Sequence, residues 1–347
     1  MKIPYCKQLC FAAVALVSAI SVHAQEKVLN LYSARHYQTD DQLYSNFTKQ
    51  TGIKINRIEA DDNQLLTRLK TEGKNSPADV ILMVDAARLW RAQIDGLFQP
   101  VKSSVLNSRI PANLRGKDDG KGAEWFGFST RARIIVYDKA TVKPEDVSTY
   151  ESLADPKNSG KVCTRSGSHP YMLSMIGAMI ERNGEQATED WAKGVVANFA
   201  RPPRGGDTDQ IKGVASGECR VALANSYYYV RMLRSTKPED KEAMSKVGFI
   251  WPNQKTSGAH INISGGGVAK NAPNRDSAVK FLEYLASDEA QAYFANGNNE
   301  WPAVASASVK NPTLDSLGKF KMENISIATI GKNQIAAQKI LDRVGYK

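Results

Sequence analysis

The sequence predicts an α/β protein built as two lobes with a cleft between them. Three observations carry that expectation. The chain has 347 residues, enough for two sizeable cores. Short apolar runs alternate with amphipathic stretches at helical spacing, the pattern of strand–helix units. One apolar run, residues 125–137, is long for a strand confined to one lobe, so it is expected to cross between lobes.

Residues 28–32 read as the first strand, followed by the polar loop Ser33-Ala34-Arg35-His36-Tyr37-Gln38-Thr39-Asp40. Thr39 or Asp40 can cap a helix on which Leu43, Tyr44 and Phe47 share a face, and Gly52 ends it. Residues 53–58 alternate as a strand. A second helix starts at Asp61 or Asp62, carries Leu65, Leu66 and Leu69, and stops at Gly73. Residues 80–84 are continuously apolar, as expected of a buried parallel strand, and Asp85 opens the next helix. Within 125–137, Arg131 and Arg133 stand two apart and so face one side of a strand. They form either a solvated edge or a positively charged cleft wall.

The second lobe starts with residues 150–156, read as a helix ended by Pro156, and a strand at 161–164. Gly167-Ser168-His169-Pro170-Tyr171 leads into a helix bearing Leu173, Ile176 and Ile180. Gly206-Asp207-Thr208-Asp209 caps and starts a helix that Gly217 ends, and the strand at 219–223 runs directly into Asn225-Ser226-Tyr227-Tyr228-Tyr229. Residues 249–252 and 261–269 form the return path. Gly265-Gly266-Gly267 lacks the lysine and hydroxyl residue of a phosphate loop and is assigned to close backbone packing at a hinge. Residues 278–285 and 288–294 are amphipathic helices, and 317–344 is mainly helical. There is no internal repeat and no low-complexity linker.

Residues 1–24 read as a signal peptide. Lys2 and Lys7 precede an apolar run at 9–22, and Val22-His23-Ala24 fits cleavage before Gln25. The run is too short to span a membrane comfortably, and no cysteine stands at a lipoprotein-type cleavage position. A mature protein free in an exported compartment is expected. The remaining chain divides into an N-terminal lobe of 25–128 with 252–304 and a C-terminal lobe of 129–251 with 305–347. Net charge is +10 overall. The basic residues are interspersed with acids, which together with export argues against nucleic acid. Cys163 and Cys219 remain after cleavage. An even number in an oxidising compartment points to a disulfide, the alternative being two buried thiols.

Three consecutive tyrosines are an unusual core element. Adjacent side chains at a helix start sit about 100° apart and can share a target, whereas on a strand they cannot. Asn225 and Ser226 suit the N-cap, and Arg231 follows Tyr227 by four and Tyr228 by three. Phenols near fixed positive charge ionise more readily, and phenolate is a hard oxygen ligand. The stretch is therefore either an aromatic plug or a metal site.

The chain resembles the periplasmic ferric-ion-binding proteins of bacterial ABC importers over essentially its whole mature length. The markers are Leu31-Tyr32-Ser33-Ala34-Arg35-His36-Tyr37, Pro77-Ala78-Asp79-Val80, Asp209-Gln210-Ile211 with Ser216-Gly217-Glu218-Cys219, and Asn225-Ser226-Tyr227-Tyr228. The resemblance implies a hinged, two-lobed binding protein of the type II periplasmic class. It implies Fe3+ held in the interlobe cleft by Tyr227 and Tyr228, with Tyr171 from the same lobe and Tyr37 from the opposite one. His36 is a ligand in some relatives. Arg131 and Arg231 resemble residues that balance charge or hold a carbonate-like anion, with Arg133 a less favoured neighbour. Met83-Val84-Asp85 lacks the glutamate of another variant. An inner-membrane permease is the implied partner.

The chemistry is consistent. A free tyrosine titrates near pH 10 and needs a bound cation to ionise at neutral pH, about three phenolates matching a trivalent ion. Hard oxygen donors argue against structural zinc. His169 and His260 have no partner ligands nearby in sequence. The alternative on the same scaffold is a phosphate- or carboxylate-binding protein that uses the arginines. No Ser-His-Asp arrangement or HExxH motif points to an enzyme.

Overall fold

The computed structural model describes Met1 and residues 27–35, 39–304 and 306–347. His36, Tyr37 and the expected signal peptide beyond Met1 lie outside the described residues. Among the described residues no helix is long and apolar enough to cross a membrane.

Nine strands are present among the described residues: β1 Val28–Ser33, β2 Lys54–Glu59, β3 Val80–Met83, β4 Phe126–Asp138, β5 Val162–Cys163, β6 Val221–Asn225, β7 Val247–Ile250, β8 Ile261–Val268 and β9 Trp301–Pro302. The strand order is β2-β1-β3-β8-β4-β6-β5, with β7 and β9 also on β4. β1 pairs parallel with β2 and β3. β3 is thus the expected buried parallel strand on one side, but it pairs antiparallel with β8 on the other.

β4 makes one protein of two lobes. Its first half, Phe126 to Ala132, pairs with β8, and its second half, Arg133 to Tyr137, pairs with β6. The change of partner falls between two adjacent residues, Ala132 and Arg133. The buried Tyr150 phenol reinforces that point. It donates to the Arg133 carbonyl at 2.6 Å and accepts from the His260 amide, just before β8, at 3.0 Å. A buried hydroxyl satisfied on both sides avoids the desolvation cost of an orphaned one.

Each half has its own core. Leu29, Leu31, Phe47, Ile81, Phe126, Phe281 and Phe294 close the first. Ile135, Tyr150, Met175, Ile176, Val221 and Leu223 close the second. Burying each large side chain stabilises by about 1.5–3 kcal/mol. The C-terminal segment serves both, since Ile327 and Ile330 join the first core and Ala337, Ile340 and Leu341 the second.

The helices follow the apolar spacing. Gly52 ends Asp40–Thr51 in the left-handed region, and Asp61 and Asp85 accept backbone amides at the starts of Asp62–Glu72 and Ala86–Ile94. Two expectations need correction. Residues 150–156 form 3-10 turns, Glu151–Ala154 and Pro156–Asn158, because Asp155 caps a new turn at Lys157 and Pro156 cannot continue the first. Gly265, Gly266 and Gly267 do pack closely, but between β3 and the first half of β4, away from the change of partner. A Cβ on Gly266 would lie 2.4 Å from the Ile81 carbonyl oxygen, and one on Gly267 2.1 Å from that of Glu124.

Candidate metal site

Two helix starts bring phenols together. Helix Pro170–Asn183 begins with proline at its first position, and His169 Nδ1 accepts the Tyr171 amide at 3.1 Å. Helix Ser226–Leu233 continues directly from β6. The Ser226 hydroxyl accepts the Ala132 amide at 3.2 Å, tying this helix to β4 where β4 changes partner. The expected Asn225 cap is not made. Its Oδ1 instead accepts from Arg133 Nη1 at 3.2 Å, because the buried guanidinium is the stronger donor.

The Tyr171 and Tyr227 hydroxyls are 3.2 Å apart. Tyr228 lies beside Tyr227, with ring centroids 4.2 Å apart and planes inclined by 32°. Tyr227 is buried and Tyr228 half-buried. Tyr229 turns away, packs at a tilt against Phe249 and donates to the Val247 carbonyl at 3.2 Å. The helix start thus directs two of the three tyrosines to one place, as adjacent positions allow.

Cations surround the phenols unevenly. Arg131 is buried, lies 5.4 Å from the Tyr171 ring centre and donates to Ser264 Oγ at 3.0 Å. Arg165 lies 5.0 Å from the same ring. The exposed Arg231 stands 4.7 Å over Tyr228 and donates to Thr208 Oγ1 at 3.0 Å. Arg131 and Arg231 therefore approach different tyrosines. Arg133 is buried too, but it is engaged by Asp207 at 2.6 Å. The two β4 arginines line an interior face, not a solvated edge. Burial pushes the Tyr171 phenol above its ordinary value, and the Arg131 charge opposes that rise.

Arg35 and Asp40, which bracket His36 and Tyr37 in the sequence, form a buried ion pair, Arg35 Nε to Asp40 Oδ2 at 2.8 Å. Glu300 reaches from that pair toward Arg131. Its Oε2 lies 3.5 Å from Arg35 Nη1, and its Oε1 lies 4.0 Å from Arg131 Nη1. His169 packs edge-on against Tyr171, with ring centroids 4.5 Å apart. His260 is buried, its Nδ1 3.1 Å from Glu323 Oε2. Both serve structure.

Sequence reasoning missed Arg165, Asp207 and Glu300. Asp207 was legible only as a helix-start residue, and no spacing distinguished Arg165 or Glu300. Cys163 and Cys219 form a disulfide, with Cα atoms 5.8 Å apart, where β5 and β6 run parallel.

A crossing strand shared by two sheets, with phenols and guanidiniums gathered at its midpoint, defines a two-lobed solute-binding protein. The chain belongs to the family described as bacterial extracellular solute-binding protein, matched over residues 42–321. It is similar to iron uptake protein A1 of Synechocystis sp., 49% identical over 323 residues, covering 93% of this chain and 88% of that protein. Among solved structures it is similar to Trichodesmium FutA (IdiA) in complex with iron and citrate ligands. That match has 53% identity and a TM-score of 0.86, covering 92% of this chain and 100% of the other. The ferric binding protein of Campylobacter jejuni matches with 39% identity and a TM-score of 0.87, covering 92% and 100%.

Proposed function

We propose that this chain captures ferric iron outside the cytoplasm and delivers it to an ABC permease in the inner membrane. The observation that carries this reading is the convergence of Tyr171, Tyr227 and Tyr228. Two hydroxyls already stand 3.2 Å apart, and the Tyr228 ring lies tilted against that of Tyr227. Hard, ionisable oxygens gathered under arginines suit a hard trivalent cation. The similarity to iron uptake and ferric-binding proteins supports the same cargo.

In this reading Tyr171, Tyr227 and Tyr228 are ligands from one lobe, and Tyr37, with His36 as a further candidate, is contributed by the other. Arg131 and Arg231 balance the phenolate charge or hold a carbonate-like anion. The lobes are 25–128 with 252–304 and 129–251 with 305–347. The change of partner at Ala132 and Arg133 supports a boundary near that point, while residues 327–332 pack against the first lobe. Metal bound to both lobes stabilises a closed form, which the permease reads. Residues 1–24 are removed on export. The protein acts as a monomeric carrier, with no catalytic step. The anion-binding alternative has less support, because the similar proteins are iron uptake and ferric-binding proteins.

The test is a visible titration of mature protein with ferric citrate, beside the Tyr227→Phe, Tyr228→Phe double variant. A phenolate-to-iron band that saturates near one equivalent and is lost in the variant is expected. Absence of the band from wild type, with binding unchanged in the variant, sinks this reading in favour of the anion-binding one.

A further inference from the structure

Asp207 is the first residue of helix Asp207–Ala215, yet it is fully buried and does not cap that helix. The capping contact belongs to the exposed Asp209, whose Oδ2 accepts the Gly206 amide at 2.7 Å. The Asp207 carboxylate points into the protein. Its Oδ2 accepts from Arg133 Nη1 at 2.6 Å and from the Asn225 amide at 2.7 Å. Its Oδ1 accepts from Arg165 Nη1 at 3.1 Å. A buried carboxylate is costly unless it is paired and hydrogen-bonded, and this one is held by two guanidiniums and a backbone amide.

Each partner leads to a phenol. Arg165 lies against the Tyr171 ring. Asn225 is the last residue before the helix that carries Tyr227 and Tyr228, and Arg133 grips its side chain as well. Arg133 stands two residues beyond Arg131 on β4. One carboxylate therefore ties Arg165, beside the Tyr171 ring, to Arg133 and Asn225, which are already partners in the β4–β6 ladder. It also cancels one of the two positive charges it binds, leaving a single net positive charge in the Asp207–Arg133–Arg165 group.

We infer that Asp207 is a positioning residue for the ferric site. It fixes the Tyr171 face against the Tyr227–Tyr228 helix start and sets the charge the phenolates experience. The inference rests on the proposed tyrosine ligation. Two effects follow. Without the carboxylate, Arg165 and the helix start lose their common anchor and the phenolates meet the metal in poorer geometry. The second positive charge is also uncompensated, which lowers the energy of phenolate electrons and makes them weaker donors.

The experiment titrates four mature proteins with ferric citrate and records affinity and charge-transfer wavelength: wild type, Asp207→Asn, Arg165→Gln and Asp209→Asn. Circular dichroism checks folding. Asp207→Asn is expected to weaken iron binding roughly 10- to 100-fold, the usual range for loss of an outer-shell partner, and to move the band to shorter wavelength. Arg165→Gln removes a positive charge from the Tyr171 face and is expected to move the band to longer wavelength. Asp209→Asn, which disturbs only the exposed cap, is expected to match wild type in both. A folded Asp207→Asn with wild-type affinity and wavelength overturns the inference. So does an Asp209→Asn loss as large as that of Asp207→Asn, which would assign the effect to the helix start alone. If Asp207→Asn does not fold, Arg165→Gln decides, and a wild-type wavelength there overturns the inference. Absence of the band from wild type rejects tyrosine ligation itself.

Discussion

The Asp85 carboxylate accepts the Ser174 hydroxyl with both of its oxygens, at 2.9 Å each. Both residues are fully buried. Asp85 starts helix Ala86–Ile94, whose Leu89 lies in the first core, and Ser174 lies one turn inside the helix that begins beside Tyr171. The Asn262 side chain donates to the same carboxylate at 2.6 Å. A tyrosine-bearing helix is thereby tied to the opposite lobe near the change of partner in β4.

Ser174→Ala removes that tie but leaves Asp85 the Ala87 amide and Asn262. The expected loss of stability is about 1–2 kcal/mol, typical of a hydrogen bond to a charged group. Iron dissociation, followed by competition with a chelator in a stopped-flow instrument, is expected to accelerate roughly fivefold, the equivalent of about 1 kcal/mol. An unchanged dissociation rate would mean that the contact does not couple to the loaded state.

Iron uptake is expected to release protons. Burial holds the Tyr171 phenol above its ordinary value, so it is neutral at pH 7 and loses its proton only on binding metal. Apparent affinity is expected to fall about tenfold per pH unit for each proton released. Titrations in a weakly buffered solution with a pH indicator measure the number directly. Binding without proton release would contradict phenolate ligation.

Asp62 has its carboxyl pushed up to about 6, first by burial and then by the nearby Asp85 charge. A raised carboxyl favours the folded state below its unfolded value of 3.8, and that advantage is lost as pH rises through about 6. Asp62→Asn is therefore expected to stabilise by about 1–3 kcal/mol near pH 8 and by little near pH 4. Urea melts at the two pH values test this, and equal effects at both would refute it.

His169 shows the opposite case. Burial, then the Arg165 charge, pull its pKa from 6.5 to about 3. The stability it contributes is complete above 6.5 and is lost as pH falls toward about 3. His169→Asn keeps a side-chain acceptor for the Tyr171 amide and cannot charge. Between about pH 6.5 and 4 it is expected to lose about 1–2 kcal/mol less than wild type, the figure discounted for partial exposure. Parallel acid denaturation curves would count against this account.

The local order of strands and helices was legible because apolar spacing is a property of neighbours in sequence. Leu43, Tyr44 and Phe47 marked one helix face, residues 80–84 a buried strand, and the length of 125–137 a crossing strand. The tyrosine helix start and the cysteine pairing were legible as well. Adjacency fixes which way Tyr227 and Tyr228 point, and an even number of cysteines in an exported chain pointed to the Cys163–Cys219 bridge.

What the sequence by itself determined was therefore element type, the crossing strand and the chemical character of the donors. Only the tertiary structure decided which charges meet which phenols. Asp207 looked like a cap and became the buried anchor of Arg133 and Arg165. Arg231 follows both Tyr227 and Tyr228 at helical spacing but stacks on Tyr228. Glu300 meets Arg35 and Arg131 across separations that no local pattern encodes. Periodicity is set by the backbone of one segment, whereas a buried ion pair depends on where two distant segments must pack so that each desolvated charge finds a partner.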